Sequence, residues 1–124
     1  MQLVEQDRGG LLFVRRCAAD HVVVVDRTLR SSFLLAGDRV IEHWPATDAA
    51  ALGAAEAQAL LALEPEVVLL GSGPRQVFPP AAFMAEFLTR GIGVEPMDNA
   101  AAARTFNVLS AEGRRVVAAF LLPG

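Results

Sequence analysis

With 124 residues and a net charge of −3, the chain has the length of one small domain, and we expect residues 1–124 to form a single domain. All 11 basic residues are arginine, so the sequence excludes Schiff-base lysines, covalently attached pyridoxal phosphate and the lysine of a P-loop. The arginines are scattered and tyrosine is absent, which argues against nucleic-acid binding and excludes phenolic acid–base chemistry.

Segments typical of membrane or secreted proteins are also missing. No apolar run approaches the ~20 residues that span a bilayer, and the N-terminus lacks the basic and apolar regions of a signal peptide. The single cysteine, Cys17, cannot form an internal disulfide. These features predict a cytoplasmic protein without a membrane span.

The first 45 residues are predicted to be rich in β-strands. Short apolar runs at Leu11–Arg16 and His21–Asp26 are typical of strands, and neither shows a helical period. Gly37-Asp38 separates the runs Phe33–Ala36 and Val40–Trp44, a spacing that predicts a hairpin. This half of the chain therefore favours antiparallel sheet.

Three helices are predicted after this region. The first covers residues 47–63 with a break at Gly53, because glycine weakens a helix interior. The second follows Pro79-Pro80, and the third runs over Ala100–Ala111 after a cap at Asp98 or Asn99. The apolar face of the first comprises Leu52, Leu60 and Leu63, and that of the second Phe83, Phe87 and Leu88.

Strands alternate with these helices in the second half of the chain. The apolar run Val67–Leu70 is typical of a strand buried on both faces, and further strands are predicted at Ile92–Glu95 and Val116–Leu122. Such β-α-β-α-β alternation favours parallel neighbours joined by right-handed crossovers. Together with the antiparallel first half, it predicts an α/β fold with a mixed central sheet and helices on one or both faces.

The turn Gly71-Ser72-Gly73 follows the central strand at the edge where α/β proteins usually place ligands. Its glycines would let the backbone approach a small anion, and Arg75 would supply positive charge. The alternative is a structural turn, since a third glycine is missing and Pro74 precedes the next helix. The sequence favours the structural turn and leaves the anion site open.

The nucleophiles and histidines form no catalytic signature. Ser72 has no base nearby in sequence, because His21 and His43 both lie in the β-rich half. Cys17 follows Arg15-Arg16, whose charge could lower the pKa of its thiol, but a lone cysteine without a clear cleft is usually inert. One cysteine and two distant histidines offer no ligand set, so we expect no metal and no cofactor.

On the third predicted helix, Arg104 and Asn107 share one face by their i, i+3 spacing. The opposite face, with the pattern of a core, comprises Ala102, Phe106 and Leu109. We therefore expect Arg104 and Asn107 to be exposed, as a solvated surface or as a binding surface. The alternative is an inward Arg104 that pairs with a carboxylate.

Two motifs together resemble a family of small Mth-type α/β domains of unknown activity. They are LLGSGPRQVFPP at 69–80 and GIGVEPMDNAAAARTFNVLSAEGRRVVAAFLLPG at 91–124. The family includes single-domain proteins of bacteria and archaea and the domain of mitochondrial complex I assembly factor 3. The resemblance implies a three-layer β plus α/β/α arrangement and no established catalytic residues. Asn99, Ala103 and Phe106 replace the threonine, cysteine and tyrosine that are usual in the family, so no role of those side chains applies here.

The missing catalytic set and the high apolar content predict a non-enzymatic binding protein, and the resemblance implies an accessory or assembly-type factor that acts through protein contacts. The alternative is a small-anion or metabolite-binding protein, or an enzyme, that uses the turn Gly71–Arg75 with Arg104. The candidate ligand-binding residues are Gly71, Ser72, Gly73, Arg75, Arg104 and Asn107. The sequence leaves the partner and the oligomeric state open.

Overall fold

Strands and helices follow one another in nearly the predicted order. In the computed structural model, which describes residues 10–124, the strands are Val14–Cys17, Val22–Val24, Arg27–Leu29, Ser31–Leu35, Val40–Ile41, Val67–Gly71, Gly93–Met97 and Val116–Pro123, numbered β1 to β8. The α-helices of the same residues are Ala54–Leu61, Ala81–Leu88 and Asn99–Ala111, numbered α1 to α3. A short 3-10 helix, Ala49–Ala51, precedes α1.

A mixed sheet with the strand order β5-β4-β8-β6-β7 lies at the centre of the fold. β6 pairs in parallel with β7 and with β8, so that Leu70 lies opposite both Pro96 and Ala119. β4 pairs antiparallel with β8 and with β5. β8 therefore has a neighbour on each side and is buried from Val116 to Leu122, which explains its continuous apolar run. The predicted mixed central sheet is confirmed.

Helices cover both faces of this sheet. α3 and the small N-terminal sheet pack on one face, and α1 and α2 pack on the other. β4 contributes to both layers, with Phe33 and Leu35 in one apolar cluster and Leu34 in the other, because successive side chains of a strand alternate. Phe33 stacks on Phe120 of β8 with the ring centroids 5.0 Å apart. This is the three-layer arrangement that the resemblance implies.

The small antiparallel sheet has the order β1-β2-β3 and corrects one prediction. A single strand over His21–Asp26 is wrong, because β2 ends at Val24 and the chain turns through Val25-Asp26 into β3. Val25 adopts a φ of 55°, a conformation that β-branched residues rarely take. The sequence concealed this turn, since it carries none of the glycine or asparagine residues that usually mark a two-residue hairpin.

The predicted cap of α3 and the predicted break at Gly53 are confirmed. Asp48 Oδ1 accepts a hydrogen bond from the Ala50 N–H at 3.0 Å and starts the 3-10 helix. Asp98 Oδ1 accepts from the Ala101 N–H at 2.8 Å and starts α3. Gly53 separates the 3-10 helix from α1, where the sequence placed the interruption.

The predicted apolar face of α2 is correct for two residues and wrong for the third. Phe83 and Phe87 are fully buried and in ring contact, whereas Leu88 is 56% exposed. Phe83 and Phe87 lie one turn apart and define the buried face, and Leu88 lies about 100° further around the helix. Leu88 therefore belongs to the surface.

Candidate functional site

The Gly71-Ser72-Gly73 turn leaves the carboxyl end of β6, at the predicted edge. The backbone N–H groups of Ser72 and Gly73 already donate to acceptors within the protein. The Ser72 N–H donates to the Met97 carbonyl at 2.9 Å, and the Gly73 N–H donates to Asn99 Oδ1 at 3.1 Å. An anion cradle needs such N–H groups free and directed at the ligand. The geometry of the turn therefore favours its structural interpretation.

The Ser72 hydroxyl is also bound within the turn. It donates to the Arg75 carbonyl at 2.8 Å and accepts from the Val77 N–H at 2.9 Å. His21 and His43 form their hydrogen bonds with other residues. Ser72 thus has the contacts of a residue that holds a loop, and within residues 10–124 neither histidine is hydrogen-bonded to it.

The two arginines that were predicted to act with the turn lie in different surroundings. Arg104, exposed on α3, lines a cavity of about 250 Å³ between β1 and α3. Gly73 lines a neighbouring cavity of about 190 Å³ at the start of α3. Arg75 is exposed and lines neither of these two cavities. Neither cavity therefore brings Arg75 together with Arg104.

The expected exposure of Asn107 is wrong. Asn107 is half-buried, and its side chain bridges α3 to β1: Oδ1 accepts from the Val14 N–H at 2.8 Å, and Nδ2 donates to the Val14 carbonyl at 2.9 Å. The amide thus bonds to both backbone groups of one strand residue, as a neighbouring strand would. The i, i+3 spacing placed Asn107 beside Arg104, but it could not show that β1 covers that side of the helix.

We expect Asn107→Ala to destabilise the fold by about 1–2 kcal/mol, because it removes two hydrogen bonds from the backbone of Val14, a buried strand residue. Arg104→Ala should change the free energy of unfolding by less than about 0.5 kcal/mol, since the side chain is exposed and forms no ion pair within residues 10–124. Urea unfolding of the two variants checks both values. Equal losses would contradict the assignment of Asn107 as the bridge.

Sequence reasoning missed a grouping of three arginines. We call the cavity between β1 and α3 the arginine cavity; its lining is Val14, Arg15, Arg16, Cys17, Ala100, Ala103, Arg104 and Asn107. Within the described residues, none of its three arginines forms an ion pair. Arg15 Nη1 donates to the Val25 carbonyl at 3.1 Å. Three arginines with exposed side chains therefore line one depression.

Cys17 lies at the margin of the arginine cavity, and the suggestion of an acidic thiol is wrong. Burial raises the pKa of the Cys17 thiol, and the negative charge of Asp98 raises it further. The neighbouring Arg15 and Arg16 side chains are exposed and do not reverse this effect. Cys17 is therefore a thiol at neutral pH and a poor nucleophile.

Nearly the whole of the described chain matches one protein family. Residues 14–121 match the family model described as "Protein of unknown function (DUF498/DUF598)". The chain belongs to this family. The match covers the mixed sheet, the three helices and all three arginines of the arginine cavity.

Solved structures of similar proteins share the fold of this DUF498/DUF598 member. The Xanthomonas campestris protein XCC1710 is 45% identical, with a TM-score of 0.84 over 100% of this chain and 94% of that one. A Bordetella pertussis protein described as a Mth938-like domain is 30% identical, with a TM-score of 0.76 over 93% and 88% of the two chains. The resemblance to Mth-type domains is therefore confirmed.

Similarity to curated proteins is confined to parts of the chains. NADH dehydrogenase [ubiquinone] 1 alpha subcomplex assembly factor 3 of Danio rerio is 46% identical over 63 residues, which are 49% of this chain and 36% of that protein. The chain spans about half the length of the bacterial curated relatives that it matches, 52% and 46%. The family membership thus comes with a distant likeness to an assembly factor.

Neither a cluster of metal-ligating side chains nor a membrane-spanning helix is found in residues 10–124 of this family member. No group of three or more His, Cys, Asp or Glu side chains there is placed to hold a metal ion. No helix in the same range is long and apolar enough to cross a membrane. The expected absence of a cofactor and the cytoplasmic location stay predictions.

Proposed function

We propose that this DUF498/DUF598 protein is a non-enzymatic binding protein whose arginine cavity docks an acidic segment of a partner protein. The observation that carries the proposal is the meeting of Arg15, Arg16 and Arg104 at one cavity, with no ion-pair partner in residues 10–124. Elsewhere on the surface, carboxylates pair with exposed arginines such as Arg27 and Arg90. Three of the five arginines that form no ion pair within residues 10–124 thus line one cavity where α3 meets β1.

Electrostatics of the arginine cavity match a carboxylate-rich ligand. Like charges held together raise the local positive potential and attract an oppositely charged partner, even on a protein of net charge −3. Each guanidinium can form two parallel hydrogen bonds with a carboxylate. Val14 and Ala103, which line the same cavity, are buried and apolar.

An apolar anchor lies beside the charges. Val108 follows Arg104 by one helical turn on α3 and is 57% exposed, which is unusual for a large apolar side chain of this protein. A partner segment that carries both acidic and apolar side chains would contact Val108 and the guanidinium groups together. Arginine is also enriched among the residues that dominate binding energy at protein interfaces.

Two further observations support binding over catalysis. The Ser72 hydroxyl is held by the loop, and the raised pKa of Cys17 keeps its thiol protonated. The relative in Danio rerio is named an assembly factor, and a binding protein is consistent with that name. We further propose that the protein acts as a single domain in the cytoplasm and does not bind nucleic acid.

The test is the binding of a short fluorescent peptide of alternating glutamate and leucine to the purified protein at low salt. We expect saturable binding that weakens as salt is raised, because exposed charges are screened. Arg16→Glu and Arg104→Glu should each weaken it at least about fivefold, since an attractive charge becomes repulsive. Arg75→Glu is the matched control, with the same charge change outside the cavity, and should alter the affinity by less than about twofold.

Other outcomes select a different function. If Arg75→Glu weakens binding as much as Arg104→Glu, the arginine cavity is not the site, and an anion site with the Gly71–Arg75 turn is favoured. If inorganic phosphate binds at the same cavity and displaces the peptide at equal concentration, the protein is a small-anion binder, the second candidate. Failure of the peptide to bind saturably would reject the docking proposal.

A further inference from the structure

A cavity of about 400 Å³ lies where β8 begins and α3 ends, at the end of the central sheet opposite the Gly71-Ser72-Gly73 turn. We call it the Ser110 cavity; the lining residues argued below include Leu11, Gly37, Glu64, Ser110, Arg115 and Val116. Its volume falls within the roughly 300–1,000 Å³ typical of small-molecule sites. It shares no lining residue with the arginine cavity, so it is independent of the function proposed above.

The Ser110 hydroxyl is a buried polar group without a partner. Ser110 is 4% exposed, and its Oγ forms no hydrogen bond with any residue that the structure describes. Among those residues, Trp44 Nε1 is the one buried side-chain polar atom that lacks both a partner and accessible surface, so Ser110 Oγ has accessible surface. Buried polar groups are nearly always paired in native proteins. An unpaired, accessible hydroxyl in a cavity lining is therefore a group that a ligand can bind.

Gly37 shows which way the hydroxyl is directed. A Cβ at Gly37, in the turn between β4 and β5, would lie 3.5 Å from Ser110 Oγ and 3.3 Å from Leu11 Cδ2. All three residues line the cavity. The glycine thus keeps open the space beside the hydroxyl that a side chain would fill.

Arg115 and Glu64 bring one charge of each sign to the cavity. Both residues are exposed, and neither side chain forms an ion pair within residues 10–124. The Arg115 guanidinium is oriented by its Nε, which donates to the Glu64 backbone carbonyl at 3.3 Å. The other two arginines of the lining, Arg39 and Arg114, already pair with carboxylates at 3.6 and 3.3 Å. An unpaired cation and an unpaired anion in one lining suit a zwitterionic ligand.

Much of the remaining lining is apolar. Val116 and Val117 at the start of β8 are each 2% exposed, and Leu11 and Leu63 are half-buried. Apolar surface of a ligand gains free energy when it leaves water for such side chains. The exposed charges and the buried hydroxyl therefore lie at different depths of one cavity with apolar walls.

We propose that the Ser110 cavity binds a free α-amino acid whose apolar side chain ends in a hydroxyl group. The ligand carboxylate pairs with Arg115, its ammonium group pairs with Glu64, and its hydroxyl forms a hydrogen bond with Ser110 Oγ. The apolar part of the ligand side chain packs on Val116. Tyrosine carries these groups in this order, with the charges at one end and the hydroxyl at the other.

The first test compares four compounds by isothermal titration calorimetry with the full chain. Tyrosine is the probe; phenylalanine lacks its hydroxyl, tyrosinamide lacks its carboxylate and N-acetyltyrosine lacks its ammonium group. We expect saturable binding of tyrosine, at least about threefold weaker binding of phenylalanine, and at least about fivefold weaker binding of the other two. No saturable binding of tyrosine, or an equal affinity for any of the other three, overturns the proposal without need of a variant.

Variants then assign the contacts. Ser110→Ala should lower the affinity for tyrosine to that for phenylalanine and change the affinity for phenylalanine less than about twofold, because only tyrosine offers a partner to the hydroxyl. Arg115→Gln should weaken the binding of tyrosine at least about fivefold. Arg75→Gln, the same change at an exposed arginine that lies outside the cavity, should alter it less than about twofold. A Ser110→Ala protein that still prefers tyrosine to phenylalanine, or equal losses in the two arginine variants, would overturn the assignment.

Discussion

Gly71→Ala is expected to lower the free energy of unfolding by about 2–4 kcal/mol, by overpacking and by disturbing buried hydrogen bonds. A Cβ at Gly71 would lie 2.4 Å from Asn99 Oδ1, 3.1 Å from the Ala119 carbonyl oxygen and 3.3 Å from Phe120 Cδ1. The Ala119 oxygen belongs to the backbone of β8, the strand at the centre of the sheet, so it cannot move aside alone. Urea unfolding of the purified variant measures the loss.

Two other glycines serve as controls for Gly71. Gly93 lies in the adjacent strand β7, and a Cβ there would meet Val67 Cγ2 at an ordinary 3.9 Å, so Gly93→Ala should stay within about 0.5 kcal/mol of the parent. Gly73 has open space but a φ of +105°, so Gly73→Ala should cost about 1–2 kcal/mol through backbone strain alone. A Gly71→Ala variant no less stable than Gly93→Ala would show that the contact with Asn99 does not restrict this position.

The central layers of the fold could be predicted because their signals are local. Val67–Leu70 and Val116–Leu122 are apolar without interruption, as buried parallel strands require, and the helices between them have helical spacing and caps. The motif Gly-Ser-Gly also predicted the tight turn after β6. The hairpin at Val25-Asp26 was not, because nothing in a run of four valines marks a left-handed residue.

The candidate sites depend on contacts between distant parts of the chain. Arg16 and Arg104 meet because β1 lies against α3, and no local pattern of either segment encodes that contact. The same contact explains why Asn107 is a bridge and not a surface residue. Sequence reasoning therefore named Arg104 correctly as exposed but could not name its neighbours.

Asn99→Ala is the second variant for which a large loss is expected. Asn99 is 4% exposed, and its side chain accepts from the Gly73 N–H at 3.1 Å and donates to the Leu121 carbonyl at 3.0 Å. Both partners are backbone groups of buried residues, so truncation leaves two buried polar groups unpaired. We expect a loss of about 2–4 kcal/mol in urea unfolding. The control is Gln76→Ala, which removes an exposed amide bond to the Pro96 carbonyl and should cost less than about 0.5 kcal/mol, because water replaces it.

The double variant Gly71→Ala with Asn99→Ala tests whether the two losses have one cause. Asn99 Oδ1 is the nearest atom to the Cβ that alanine would introduce at Gly71, so truncation of Asn99 removes the closest clash. We therefore expect the double variant to lose at least about 1 kcal/mol less than the sum of the two single losses, as residues in contact do. The contact with the Ala119 oxygen would remain, so the rescue should be partial. Strictly additive losses would mean that Asn99 and Gly71 act independently and that Gly71 is required by β8 alone.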